Sequence, residues 1–129
     1  MKIILASKSE VRKKILYENN FICTVVPSNV DEDQVKNSLL AVGADPMLIS
    51  KNLAELKSTK ISNRYPDEMV LGADSVISLN NKLINKPKTR EEALKTLKEL
   101  NGSLHHLITS VCISKNGAMI WNFTDQSEL

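Results

Sequence analysis

The sequence predicts an α/β fold: a mixed sheet flanked by helices. Two observations carry this. Short apolar, β-branched runs alternate along the chain with stretches whose apolar residues return at helical spacing, so both kinds of element share one core. Asn80-Asn81 and Asn116-Gly117 also stand between apolar runs, where tight hairpin turns need residues that tolerate positive φ.

In chain order, Ile3-Ile4-Leu5 reads as a strand, and Val11, Ile15 and Leu16 mark a helix. The loop Ala6-Ser7-Lys8-Ser9 therefore lies between a strand end and a helix N-terminus, where free N–H groups and the helix dipole favour an anion. Asn19-Asn20 close the helix, and Phe21 to Val26 form a second strand before Pro27. From Val30 to about Gly43 the pattern is weak and acidic at its start, which predicts a mobile loop and a short helix. Asp45 as N-cap and Pro46 at the first helical position open a helix that Ile49, Leu53 and Leu56 carry to about Asn63. Lys57 follows Leu53 by one helical turn, in line with the buried stripe, so it needs a partner. Met69 to Leu79 is a long strand that turns at Asn80-Asn81 into Lys82 to Ile84. Thr89 and Glu92 form a capping box for a helix bearing Ala93, Leu94, Leu97 and Leu100, which Asn101-Gly102 ends. Leu104 to Ser114 and Ala118 to Phe123 pair across Asn116-Gly117. There are no internal repeats or linkers, so residues 1–129 are expected to form a single domain.

The 129 residues are 42% hydrophobic, enough for one core, and their net charge of +2 is too weak to argue for nonspecific nucleic-acid binding. Few aromatic residues are available as stacking platforms. No apolar run is long enough for a signal segment or a membrane span, which leads to the expectation of a cytoplasmic protein. Cys23 and Cys112 match no metal spacing and are expected as reduced core residues.

Asp74 is the leading candidate for chemistry. An ionised carboxylate in a strand built from Leu71, Gly72, Ala73, Val76 and Ile77 costs several kcal/mol unless it is paired or bound to metal. A strand end or bulge, with the carboxylate bonded to nearby backbone, would account for it equally well. Gly72 permits close approach of a second backbone or a ligand. Glu32, between Asp31 and Asp33, could offer oxygen ligands to Mg²⁺ or Mn²⁺, with a solvated acidic loop as the commoner alternative. Ser7, Ser9, Arg12 and Lys13 suit phosphate oxygens, or else form a capped helix with an ordinary basic face. Lys86, before Pro87, is by itself one surface lysine among many. His105 and His106 point to opposite faces of a strand and are taken as structural, and no Gly-rich phosphate loop is present.

Several motifs occur together, in order: Leu5-Ala6-Ser7-Lys8-Ser9 with Arg12, Asp31-Glu32, Leu53-Ala54-Glu55-Leu56-Lys57, Leu71-Gly72-Ala73-Asp74-Ser75-Val76, Lys86-Pro87, and Asn101-Gly102 with His105 and Thr109. Taken as a series across nearly the whole chain, they resemble the Maf family of nucleotide pyrophosphatases, whose name carries an older link to septum formation. The resemblance implies an α/β fold related to the inosine-triphosphate pyrophosphatases, with a cleft between two lobes. It also implies hydrolysis of noncanonical or excess nucleoside triphosphates to monophosphate and pyrophosphate with a divalent metal, Mg²⁺ or Mn²⁺. Carried to this sequence, Ser7, Arg12, Lys57 and Lys86 bind substrate phosphates, Asp74 is catalytic, and Glu32 and Asp74 are metal ligands. The expected partner is the triphosphate substrate, with neither nucleic acid nor membrane and with a homodimer left open. Two departures stand out. Glu10 and Val11 replace the family's proline and first arginine, so one phosphate contact is lost or comes from Lys13. Family members also continue past the equivalent of Leu129, so a Maf-like domain truncated at its C-terminus, with an incomplete second lobe, is expected. The alternatives are a nucleotide-binding regulatory module without turnover, linked to cell division, and an inactive fragment.

Overall fold

The computed structural model describes residues 2–7, 9–84, 89–101 and 104–128. Strand β1 (Lys2–Leu5) leads into helix α1 (Glu10–Glu18), whose N-cap Ser9 accepts a hydrogen bond from the Arg12 N–H. After β2 (Ile22–Val25), the segment expected as a mobile loop and a short helix is helical over most of its length, as α2 (Glu32–Ala41). Asp31 caps it by accepting from the Gln34 N–H, and Glu32 and Asp33 lie in its first turn, where the helix dipole favours negative charge. Helix α3 (Pro46–Ser62) begins at the Asp45 cap with Pro46 in its first turn. It is followed by β3 (Val70–Leu79), β4 (Lys82–Ile84), α4 (Arg90–Leu100) capped by Thr89, β5 (His105–Lys115) and β6 (Ala118–Glu128). Strand β6 runs further than the expected Phe123. Both hairpin turns use positive φ, at Asn80 and Asn81 and at Asn116 and Gly117.

The strands form one mixed sheet in the order β2-β1-β3-β5-β6, with β4 also paired to β3. Strand β1 is parallel to both β2 and β3, and the remaining pairs are antiparallel. Strand β5 accompanies β3 from Val70 to Leu79. On the opposite edge β1 reaches only Val70 and Leu71, and β4 only Ile77 to Leu79. The sheet therefore forks, and neither β1 nor β4 covers the edge of β3 along residues 72–76.

Successive strand residues face opposite sides, which splits the core in two. Ile4, Ala6 and Val70 pack against Ile61 of α3, whereas Ile3, Leu5 and Cys23 pack with Leu16 of α1, Phe21 and Leu71. Helix α3 is the central support, burying Ile49, Leu53, Ala54, Lys57, Ser58 and Ile61 against the sheet. It crosses β3 at Gly72, where a Cβ would meet the carbonyl oxygen of Ala54 and come within 2.7 Å of the Ser58 nitrogen. Buried hydroxyls along this interface satisfy one another: Ser58 pairs with Ser114 at 2.7 Å, and Ser110 with both Ser50 and, at 2.9 Å, Thr124. Cys23 and Cys112 are buried free thiols, as expected. The helical spacing of Leu94 and Leu97 does produce α4, yet both side chains are exposed and α4 buries none of its residues. Among the described residues, no helix is long and apolar enough to cross a membrane.

Candidate active site

The fork brings together groups from both faces of the sheet. On the α1 side, the chain leaves β1 and turns at Ser7 into the helix. Ser7 Oγ accepts hydrogen bonds from the Ser9 N–H at 3.1 Å and from Arg12 Nη1 at 3.2 Å. Arg12 Nη2 donates to Ser75 Oγ at 3.4 Å, and Ser75 Oγ lies 3.1 Å from Thr109 Oγ1. Arg12 is thus held by hydroxyls on both sides, with its remaining donors available beside the N-terminus of α1.

On the α3 side, Asp74 projects from the middle of β3, opposite Ser110 in uninterrupted pairing, so the strand-end or bulge alternative does not apply. It is 5% exposed. Lys57, 8% exposed, meets it with Nζ 3.2 Å from Oδ1. The same Nζ is 2.5 Å from Glu32 Oε1 and donates to the Ala73 carbonyl at 3.3 Å. The carbonyls of Met69 and Leu71 face β1, from which they accept hydrogen bonds. By strand alternation the Ala73 carbonyl faces the same edge, where the fork leaves it without a neighbouring strand, and the Lys57 ammonium occupies that place. Burial pushes the Asp74 carboxyl above its ordinary range, an effect that the charge and hydrogen bond of Lys57 oppose. Among the described residues, Asp74 Oδ2 is buried without a hydrogen-bond partner.

Ser7, Ser9 and Arg12 form one wall of a cleft of about 770 Å³, and residues 27–33 with Lys57 form the other. Asp74 lies beneath Lys57 and is not part of the lining. Of the residues singled out from sequence, Ser7, Arg12, Glu32, Lys57 and Asp74 come together around this cleft, and Lys86 lies outside the described residues. Lys13 does not line the cleft and stands over the Tyr17 ring, 6.0 Å from its centroid. Sequence reasoning gave no role to Ser75. Its signal was parity: as the strand neighbour of Asp74 it must face the side of the sheet that carries Arg12.

Glu32 and Asp74 both present hard oxygen donors to one nitrogen, and Asp74 Oδ2, unpartnered among the described residues, is a further donor, a set that suits Mg²⁺ or Mn²⁺. Among the described residues no three His, Cys, Asp or Glu side chains gather as a ready-made metal centre.

Comparison with known proteins shows what the chain is similar to. The family described as Maf-like protein matches residues 2–129. A nucleoside triphosphate pyrophosphatase of Pelagibacter ubique is 64% identical over 127 residues, 98% of this chain and 65% of its own length. A dTTP/UTP pyrophosphatase of Pyrococcus furiosus is 38% identical over 119 residues, 92% of this chain and 59% of its own. The chain thus spans a little under two thirds of the curated relatives it matches. In three dimensions it resembles the Ham1 protein of Staphylococcus aureus, with a TM-score of 0.63 at 13% identity, over 99% of this chain and 70% of that one. At that identity the likeness is one of fold alone. The sequence match, the mixed sheet and the cleft agree: the chain belongs to the Maf-like protein family.

Proposed function

We propose that the cleft hydrolyses nucleoside triphosphates to the monophosphate and pyrophosphate. The observation that carries this reading is the buried Asp74-Lys57-Glu32 cluster facing a wall made of Ser7, Ser9 and Arg12. The names of the relatives, nucleoside triphosphate pyrophosphatase and dTTP/UTP pyrophosphatase, support it. Arg12, fixed by Ser7 and Ser75, binds phosphate oxygens together with the α1 N-terminus. Lys57 and Lys86 offset polyphosphate charge. Asp74, with its raised pKa, takes a proton from the water that attacks the α-phosphorus. The bond from that phosphorus to the α,β-bridging oxygen breaks, and pyrophosphate departs. Glu32 and Asp74 would hold the divalent cation, which when bound supplies charge neutralisation and water polarisation.

The protein is to be incubated with a panel of nucleoside triphosphates and Mg²⁺ or Mn²⁺ while pyrophosphate and orthophosphate are measured separately. Pyrophosphate in step with monophosphate is expected, and orthophosphate from every hydrolysed substrate would rule the reaction out. A second reading, nucleotide binding without turnover, draws support from exposed Val11 at the missing-arginine position and from Lys13 standing outside the cleft. Nucleotide affinity and pyrophosphate release measured on one sample separate the two.

A further inference from the structure

The roles assigned above send two cations to one place. Glu32 and Asp74 are to receive a divalent ion, yet the ammonium of Lys57 stands between them, 2.5 Å from one and 3.2 Å from the other. With the Ala73 carbonyl at 3.3 Å, the oxygens around Nζ are of the kind a hard divalent cation also selects. We propose that Lys57 is a tethered surrogate for that cation. It holds the two acids together in the nucleotide-free protein and leaves them for the triphosphate when nucleotide and cation enter together. This rests on the reading of Glu32 and Asp74 as cation ligands.

Charge makes the two occupancies exclusive. Both carboxylates are drawn to the one ammonium. Adding a dication while the ammonium stays would crowd two positive groups onto the same oxygens, in a site where burial limits screening. Lys57 also has somewhere to go. It lines the cleft, and a triphosphate bound against Arg12 would put several negative charges within its reach. Glu32 is the more accessible of the two acids, its side chain 37% exposed, so nucleotide and cation reach its side of the cluster from the cleft. Nucleotide therefore raises cation affinity by drawing off the competing lysine, and by linkage the cation raises nucleotide affinity by the same factor.

Manganese alone is a suitable probe, since free Mn²⁺ is read directly by its paramagnetic resonance signal. Without nucleotide, Lys57→Met is expected to bind Mn²⁺ at least about tenfold more tightly than the parent, within the usual range of coupling between sites. Equal or weaker binding by a variant that keeps the parent's circular dichroism would overturn the proposal. If that variant fails to fold, the parent protein decides. The Lys57 ammonium resonance, identified by its loss in Lys57→Arg, is expected to stay in place with Mg²⁺ alone and to move with Mg²⁺ plus an α,β-methylene triphosphate. Displacement by Mg²⁺ alone, or no displacement under either condition, would overturn it. Absence of Mn²⁺ binding to any form, with or without the analogue, would remove the cation site itself and the proposal with it. Tight, equal binding by parent and Lys57→Met would sink only the exchange and leave the cation site standing.

Discussion

Lys57 and Asp74 face each other across the contact between α3 and β3, with Nζ 3.2 Å from Oδ1 and both residues almost out of reach of solvent. The pair is asymmetric. Lys57 has two further oxygen partners, whereas the second oxygen of Asp74 has none among the described residues. The carboxylate is therefore the poorly compensated member, which is why burial dominates its pKa.

Asp74→Asn keeps the shape and an acceptor for Lys57 while removing the charge. Turnover should fall by about 100-fold or more, the scale of losing a general base, while the fold is kept and the urea midpoint equals or exceeds the parent's. Pyrophosphate release within severalfold of the parent would take Asp74 out of the chemistry.

Arg12→Ala removes the guanidinium that Ser7 and Ser75 hold in place. Losing a charged hydrogen-bonding group of about 1.5–3 kcal/mol should raise KM for triphosphates about tenfold or more. Ser75→Ala should give a smaller change in the same direction, because Ser7 still holds the other nitrogen. Steady-state kinetics on both variants makes the comparison, and an unaltered KM for Arg12→Ala would contradict the phosphate role.

Gly72→Ala tests the packing beneath the site. The added methyl would meet the Ala54 carbonyl and the Ser58 backbone, and a helix held on both sides of that contact has little room to shift. A loss of about 1–3 kcal/mol is expected in a denaturant titration.

Cys112 is 2% exposed, and burial followed by the charge of Glu55 pushes its thiol up to about 11 from an ordinary value of 9.0. The native state therefore holds this proton more tightly than the unfolded state. The resulting stability is fully present below pH 9.0 and is lost as the pH rises through about 11, each unit being worth about 1.4 kcal/mol. Urea midpoints taken between those pH values should decline less steeply in Cys112→Ala than in the parent.

Trp121 and Phe123 stack on β6 with centroids 6.3 Å apart, and both are about half exposed. Replacing both with Thr keeps the strand propensity and removes the apolar surface. If this surface drives self-association of the chain, the double variant should sediment at lower mass than the parent at equal concentration. Identical distributions would argue against it.

The elements most legible in the sequence were those with a local physical signature. Asp45-Pro46, Thr89 and Ser9 start their helices as caps, and Asn80-Asn81 and Asn116-Gly117 turn their hairpins at positive φ. The lysine in the apolar stripe of α3 and the acid in β3 could each be seen to need a partner, and they supply one another. Helix α2 was less legible because Asp31, Glu32 and Asp33 read as a solvated loop when they are in fact a cap and a first turn. Helical spacing in α4 could not reveal whether anything covers Leu94 and Leu97. Neither could local pattern reveal that β1 and β4 share one edge of β3, a relationship between distant segments on which the cleft depends.

That shared edge separates what is constant in such a site from what is free to diverge. The acid-bearing middle of β3 takes its position from β5 along its full length and from α3 across Gly72. Strands β1 and β4, on either side of the gap, hold β3 only at its ends. Changes in their length leave the register that positions Asp74 to β5 and α3. On the proposed function, a lineage built on this sheet could vary what borders the gap while inheriting the position of the acid unaltered.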